Sequence, residues 1–102
     1  MNDLKNLTEQ EQEKLDGSRA HIQNSHIDIK FQLGPVKEHG INGCQIDDIL
    51  QILIERVEGF QKGPFSGREN AIVITKLQEA QHWLEHRTRD RERRNVEGTN
   101  SI

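Results

Sequence analysis

Residues 66–94 read SGRENAIVITKLQEAQHWLEHRTRDRERR. Val73, Leu77, Ala80 and Leu84 recur every three or four positions, the spacing that gathers side chains on one face of an α-helix, with Ile72, Ile74 and Trp83 flanking that face. Ser66 stands three residues before Glu69, so a reciprocal capping box is expected to start the helix, with Phe65 stapled onto the first turn near Asn70 and Ala71. Beyond Leu84 the apolar pattern stops. Glu85 with Arg89 and Asp90 with Arg94 are acid-before-base pairs four residues apart, which can carry the helix onward, and cations suit a helix C-terminus. Asn95 fits a left-handed cap, and Gly98 ends the pattern.

Working back from this helix, residues 45–61 form a second one. Ile46, Ile49, Leu50, Leu53, Val57 and Phe60 share a broad face, and Asp47 and Asp48 sit in the first turn, where the helix dipole favours negative charge. Ile52 and Ile54 fall outside that face, which predicts a helix covered from two directions, by its partner and by a second subunit. Gly63 and Pro64 end it, so the two helices make an antiparallel hairpin over residues 45–97. Further upstream, residues 26–33 alternate, with Ile27, Ile29, Phe31 and Leu33 on one side of a half-buried strand. Gly34-Pro35 is a turn signal, and Val36 to His39 are expected to run back as a short partner strand, giving a β segment over 26–43. Residues 1–25 read as a polar arm, with Thr8 as an N-cap for a short helix through Leu15, and 98–102 as a disordered tail. The expected class is therefore α+β, mainly α, with a short β-strand or hairpin ahead of a helical hairpin.

The composition bears on how such a fold is held together. A chain of 102 residues with 31% hydrophobic residues has little material for a core, and small polar domains commonly gain stability by pairing with copies of themselves. Its formal charge of -3 is unevenly spread: residues 1–61 carry 11 acidic and 6 basic side chains, and 62–102 carry 6 and 8. The basic half suits small anions, whereas the whole chain is repelled by a long polyanion such as duplex DNA. Cys44 is alone and forms no disulfide within the chain, and the polar opening reads as neither a signal peptide nor a membrane span, so a cytoplasmic location is expected. No Gly-rich phosphate loop, Ser-His-Asp set or paired carboxylates stand out, so catalysis has no visible apparatus. His82 and His86, four apart, lack a third metal ligand nearby, and no metal or cofactor is expected.

Two readings of the arginine run stand side by side. In one it is a solvated helix end held by its own ion pairs. In the other, Arg87, Arg91 and Arg94 form a row along one face, Arg89 and Arg93 share another, and symmetry in an oligomer repeats each row around an anion. Trp83, beside the core face, reads as a packing residue rather than a stacking platform.

The run from Arg68 to Leu84 carries a resemblance. Its pattern R-E-x-A-x-x-x-T-K-L-x-E-A-x-x-W-L, with Arg68, Glu69, Thr75, Lys76, Leu77, Glu79, Ala80, Trp83 and Leu84 in place, resembles the second helix of the helical-hairpin domain of phage anti-CBASS and anti-Thoeris proteins. The likeness covers about half the chain, from Gln45 to roughly Glu97. It implies a non-catalytic sponge: a homo-oligomer, often a hexamer, that sequesters cyclic di- or trinucleotides or cyclic ADP-ribose signals in the cytoplasm of an infected bacterium, in pockets made by more than one protomer. On that implication Arg68 is the first phosphate contact, at a helix N-terminus that favours anions. Asn70 and Thr75 would meet a base or ribose, and Lys76, Arg87 and Arg91 would supply charge from the same or an adjacent protomer. The alternative is an oligomeric protein-binding or assembly module whose arginines pair with an acidic partner.

Overall fold

The computed structural model describes residues 19–94. The expected short helix from Thr8, most of the polar arm, the Asn95 cap and the tail lie outside the described residues. The chain divides at Gln45 and Ile46 into two compact units.

In the first unit, β1 (His21–Gln23) pairs antiparallel with β2 (Asp28–Lys30), placing His21 opposite Lys30 and Ile22 opposite Ile29. Asn24 makes the turn, its side-chain oxygen accepting the amides of His26 and Ile27 at 3.0 Å each, a local bond that short polar side chains favour. His21 Nε2 meets Asp28 Oδ1 across the strands at 2.8 Å. The strand expected over residues 26–33 is confined to Asp28–Lys30; of the four residues read as one side, Ile29 and Phe31 are partly buried and Leu33 is buried, while Ile27, beside the turn, is exposed. The partner strand, however, comes from upstream, out of the stretch read as a polar arm. Val36–His39 is not a returning strand but a short helix, α1. Proline explains the difference, because its fixed φ of -66° suits the residue before a helical turn and its carbonyl accepts the amides of Glu38 and His39. The turn ends at Gly40, whose φ of 71° lies in the region that glycine alone adopts freely.

The chain then returns as a parallel bridge between Phe31 and Cys44. Two carboxamides clamp the loop: Asn42 exchanges hydrogen bonds with both the amide and carbonyl of Leu33, while Gln32 accepts from the Asn42 amide and donates to the carbonyls of Gly34 and Gly40. Gly43 is required by the approach itself, since a Cβ there would lie 2.5 Å from the Phe31 carbonyl.

The second unit is a helical hairpin of α2 (Ile46–Gln61) and α3 (Arg68–Arg93). Leu50, Ile54, Val57 and Gln61 on α2, and Asn70, Ile74, Leu77, Gln81 and Leu84 on α3, are partly or fully buried and alternate by threes and fours as in an antiparallel seam, with Ile49, Phe60 and Ala80 also partly buried. Ile49, Leu50, Val57 and Phe60 on α2 and Leu77, Ala80 and Leu84 on α3 are covered as the sequence predicts, but the seam is centred to one side of the expected face. Ile54, expected on the far side, is the most buried apolar residue among the described residues at 3% exposure, whereas Ile46 and Leu53, expected on the core face, are exposed. On α3 it is Ile74 that enters the seam, and Val73 is exposed. The physical reason is that the apolar arc of α2 is broader than one partner helix covers, so the partner's spacing selects which part of that arc is buried.

The start of α3 also differs from the expected capping box. Gly67 is the N-cap and no side chain caps it. Ser66 cannot return its amide to Glu69, because that amide donates to the Gly63 carbonyl at 3.3 Å. Gln61 takes over the work, its side-chain oxygen accepting the Gly67 amide at 2.8 Å and its NH2 donating to the Gly67 carbonyl at 3.0 Å. Phe65 packs edge-to-face on Phe60, with ring centroids 6.3 Å apart, instead of stapling onto the first turn.

Candidate functional site

Antiparallel pairing sets where the charged end of α3 lies relative to α2. The side chains of Gln61 and Asn70 meet at 3.1 Å, and those of Gln51 and Gln81 at 2.9 Å, which fixes a constant register. Carried on, that register puts Ile46 opposite the turn that holds Leu84. Helix α3 has 26 residues and α2 has 16, so about two turns of α3 run on past the start of α2, and these carry the arginines.

The six candidate residues fall into three groups. Arg68 and Asn70 lie at the loop end, Thr75 and Lys76 at mid-helix, and Arg87 and Arg91 on the overhang. At 1.5 Å per residue, Arg68 and Arg87 are about 28 Å apart along the axis. A single chain therefore does not gather all six around one small molecule. Arg68 and Thr75, seven apart, share a face, whereas Asn70 sits on the seam, with both N–H groups of its amide donating inward, to Gln61 Oε1 at 3.1 Å and to the Phe65 carbonyl at 2.7 Å. Lys76 is exposed and lies 3.5 Å from Glu79.

Within the overhang the arginines are not equivalent. Arg89 pairs with Glu85 at 2.6 Å, and Arg93 and Arg94 hold Asp90 at 2.9 and 3.2 Å, so both ion pairs read from the sequence form. The Arg93 hydrogen bond, helped by the charges of Arg94, Arg93 and His86, holds the Asp90 carboxyl below the usual aspartate range. Arg87 has no carboxylate partner among the described residues, and neither has Arg68. Arg91 is half-buried.

Two residues gain importance that the sequence reading did not give them. Gln61 is the lock of the loop end, a role invisible in periodicity because its partners are backbone groups brought close only by the hairpin. Trp83, read as a packing residue, is 65% exposed. The rings of His82 and His86 stand against it at 78°, with centroids 5.7 and 5.5 Å away. Its position was legible once the seam is placed on Gln81 and Leu84, since Trp83 then falls off the buried stripe.

A short antiparallel two-stranded sheet followed in the chain by a long helical hairpin, with Arg68 and Arg87 exposed on its second helix and without an ion pair among the described residues, defines a small α+β, mainly α class. Residues 23–89 match the sequence profile of the Acb2/Tad1 hairpin domain, and the chain belongs to that family. The match begins at Gln23, well before the helices, and stops at Arg89, so that Arg91 lies beyond it. The chain is 54% identical over 71 residues to a protein of Bacillus phage SBSphiJ7 named Thoeris anti-defense 1. That alignment covers 70% of this chain and 50% of the phage protein, so the chain spans about half the length of this curated relative. No helix among the described residues is long and apolar enough to cross a membrane.

Proposed function

We propose that this protein is a phage anti-defence factor that binds cyclic nucleotide immune signals, cyclic di- or trinucleotides or cyclic ADP-ribose isomers, and sequesters them without cleaving them. The family membership and the relative named for anti-Thoeris action support the anti-defence role. The observation that carries ligand binding is the state of Arg68 and Arg87: both are exposed and without an ion pair among the described residues, while neighbouring arginines are neutralised by Glu85 and Asp90. Uncommitted guanidinium groups hold phosphate bidentately without first breaking an internal pair.

Because about 28 Å separates these two groups, a pocket using both is completed by a second copy of the chain. Homo-oligomerisation, with a hexamer as the expected assembly, is therefore part of the proposal. Ile46 and Leu53 on α2 and Val73 on α3 are exposed apolar residues bordering one side of the seam, and they supply the subunit contact. Thr75, Lys76 and Arg91 complete the ligand set, whereas Asn70 acts by holding the loop that positions Arg68. The setting is the interior of an infected bacterium.

Calorimetric titration of the intact protein against cyclic di-adenylate, cyclic tri-adenylate and cyclic ADP-ribose tests this reading, followed by recovery of unchanged ligand after heat denaturation. Absence of binding to every member at micromolar concentration overturns it, and recovery of cleaved product replaces a sponge with an enzyme. An assembly module is the second reading, favoured by the same exposed apolar side. Arg68→Ala with Arg87→Ala separates the two, since a sponge loses ligand at unchanged mass in solution, while an assembly module changes its mass.

A further inference from the structure

We infer that Trp83 is a stacking platform for the base of a purine nucleotide whose phosphate is taken by Arg87, an assignment that rests on the ligand class proposed above and adds a residue to it. Three observations meet at this place. Trp83 is the largest side chain on the hairpin, and 65% of it is open to solvent. Arg87 lies one helical turn further along, exposed and with no ion pair among the described residues. Lys76, seven residues before Trp83, is exposed on the same side, so the row reads cation, aromatic, cation.

The spacing suits a nucleotide. Positions four apart on a helix sit about 5–6 Å from one another at Cβ, which lets a base lie on the indole while the phosphate of the same nucleotide reaches the guanidinium. Lys76, about 10 Å along the axis in the opposite direction, reaches a second phosphate of a cyclic ligand by exchanging its exposed pair with Glu79 for it. His82 and His86, standing perpendicular to the indole, restrict its rotation, so less side-chain freedom is lost when a base stacks. An aromatic face accepts any base, whereas the guanidinium supplies the charge preference.

A bland reading, in which Trp83 is merely a subunit contact, makes a different prediction, and the chain allows a clean test because it holds one tryptophan and no tyrosine. In the full-length assembly, acrylamide should quench Trp83 emission, and a saturating cyclic nucleotide should protect it. Emission should change saturably with cyclic di-adenylate, cyclic tri-adenylate or cyclic ADP-ribose, along the same isotherm that calorimetry gives. Ribose 5-phosphate, which lacks a base, should leave it unchanged. Trp83→Leu should weaken binding about tenfold, while Trp83→Phe keeps most of it and both variants keep the wild-type mass and circular dichroism. A calorimetric isotherm with no change in emission, Trp83→Leu binding as well as wild type, or a tryptophan already shielded from acrylamide without ligand overturns the assignment and leaves the proposed function standing. Absence of an isotherm for every probe removes both.

Discussion

Leu53 and Ile54 are adjacent, alike in size and chemistry, and belong to different surfaces: Ile54 is 3% exposed and Leu53 is 44% exposed. The first lies in the seam between α2 and α3, and the second on a side of α2 left exposed among the described residues. The apolar arc of α2 is thus broader than its hairpin partner covers, and its exposed side is the surface that the proposed assembly would use.

The largest expected effect follows from the buried member. Ile54→Ala should destabilise the hairpin by about 2–5 kcal/mol, read from urea unfolding, because it removes seam contacts and leaves a cavity. A loss as small as that of Leu53→Ala would dissolve the distinction between the two sides. Gln61→Ala ranks next, at about 1–2 kcal/mol, since it strips both backbone groups of Gly67 and the Asn70 side chain of their partner. Leu53→Ala should cost under about 1 kcal/mol of unfolding free energy at low protein concentration, yet shift the sedimentation mass downward, which sharpens the comparison by separating folding from assembly. Ser66→Ala should be neutral within about 0.5 kcal/mol, whereas a working capping box would lose about 1 kcal/mol.

The smallest effect is a pH response at the overhang. Arg93 and Arg94 hold the folded-state pKa of Asp90 below the ordinary aspartate value of about 3.9. The stabilisation is therefore fully present above that value and lost as pH falls through the lower folded pKa. A slight decrease in helical circular dichroism below about pH 4, absent in Asp90→Asn, is the expected signature. Both the carboxylate and its partners are exposed, so the seam should not notice.

Much of the molecule was written into its sequence. Residues 66–94 dictate a helix by period, Gly63 and Pro64 force the hairpin, and the acid-before-base spacing of Glu85–Arg89 and Asp90–Arg94 produced both ion pairs. The motif from Arg68 to Leu84 was enough to identify the family that the match over residues 23–89 establishes. These features are local, fixed by propensity and by neighbours three or four residues away.

What the sequence left open depends on contacts between distant residues. Which part of the broad apolar arc of α2 is buried was decided by the spacing on α3, and that placed Ile54 inside and Leu53 outside. Whether Ser66 caps α3 was decided by Gln61, six residues before Gly67, reaching the turn only because the helices fold back on each other. Which strand pairs with β2 turned on Pro35 starting a helical turn rather than a return strand. The same holds for the arginines: their charges are plain in the sequence, but which of them are spent on Glu85 and Asp90 and which stay available appears only once side chains occupy real positions on one helix end.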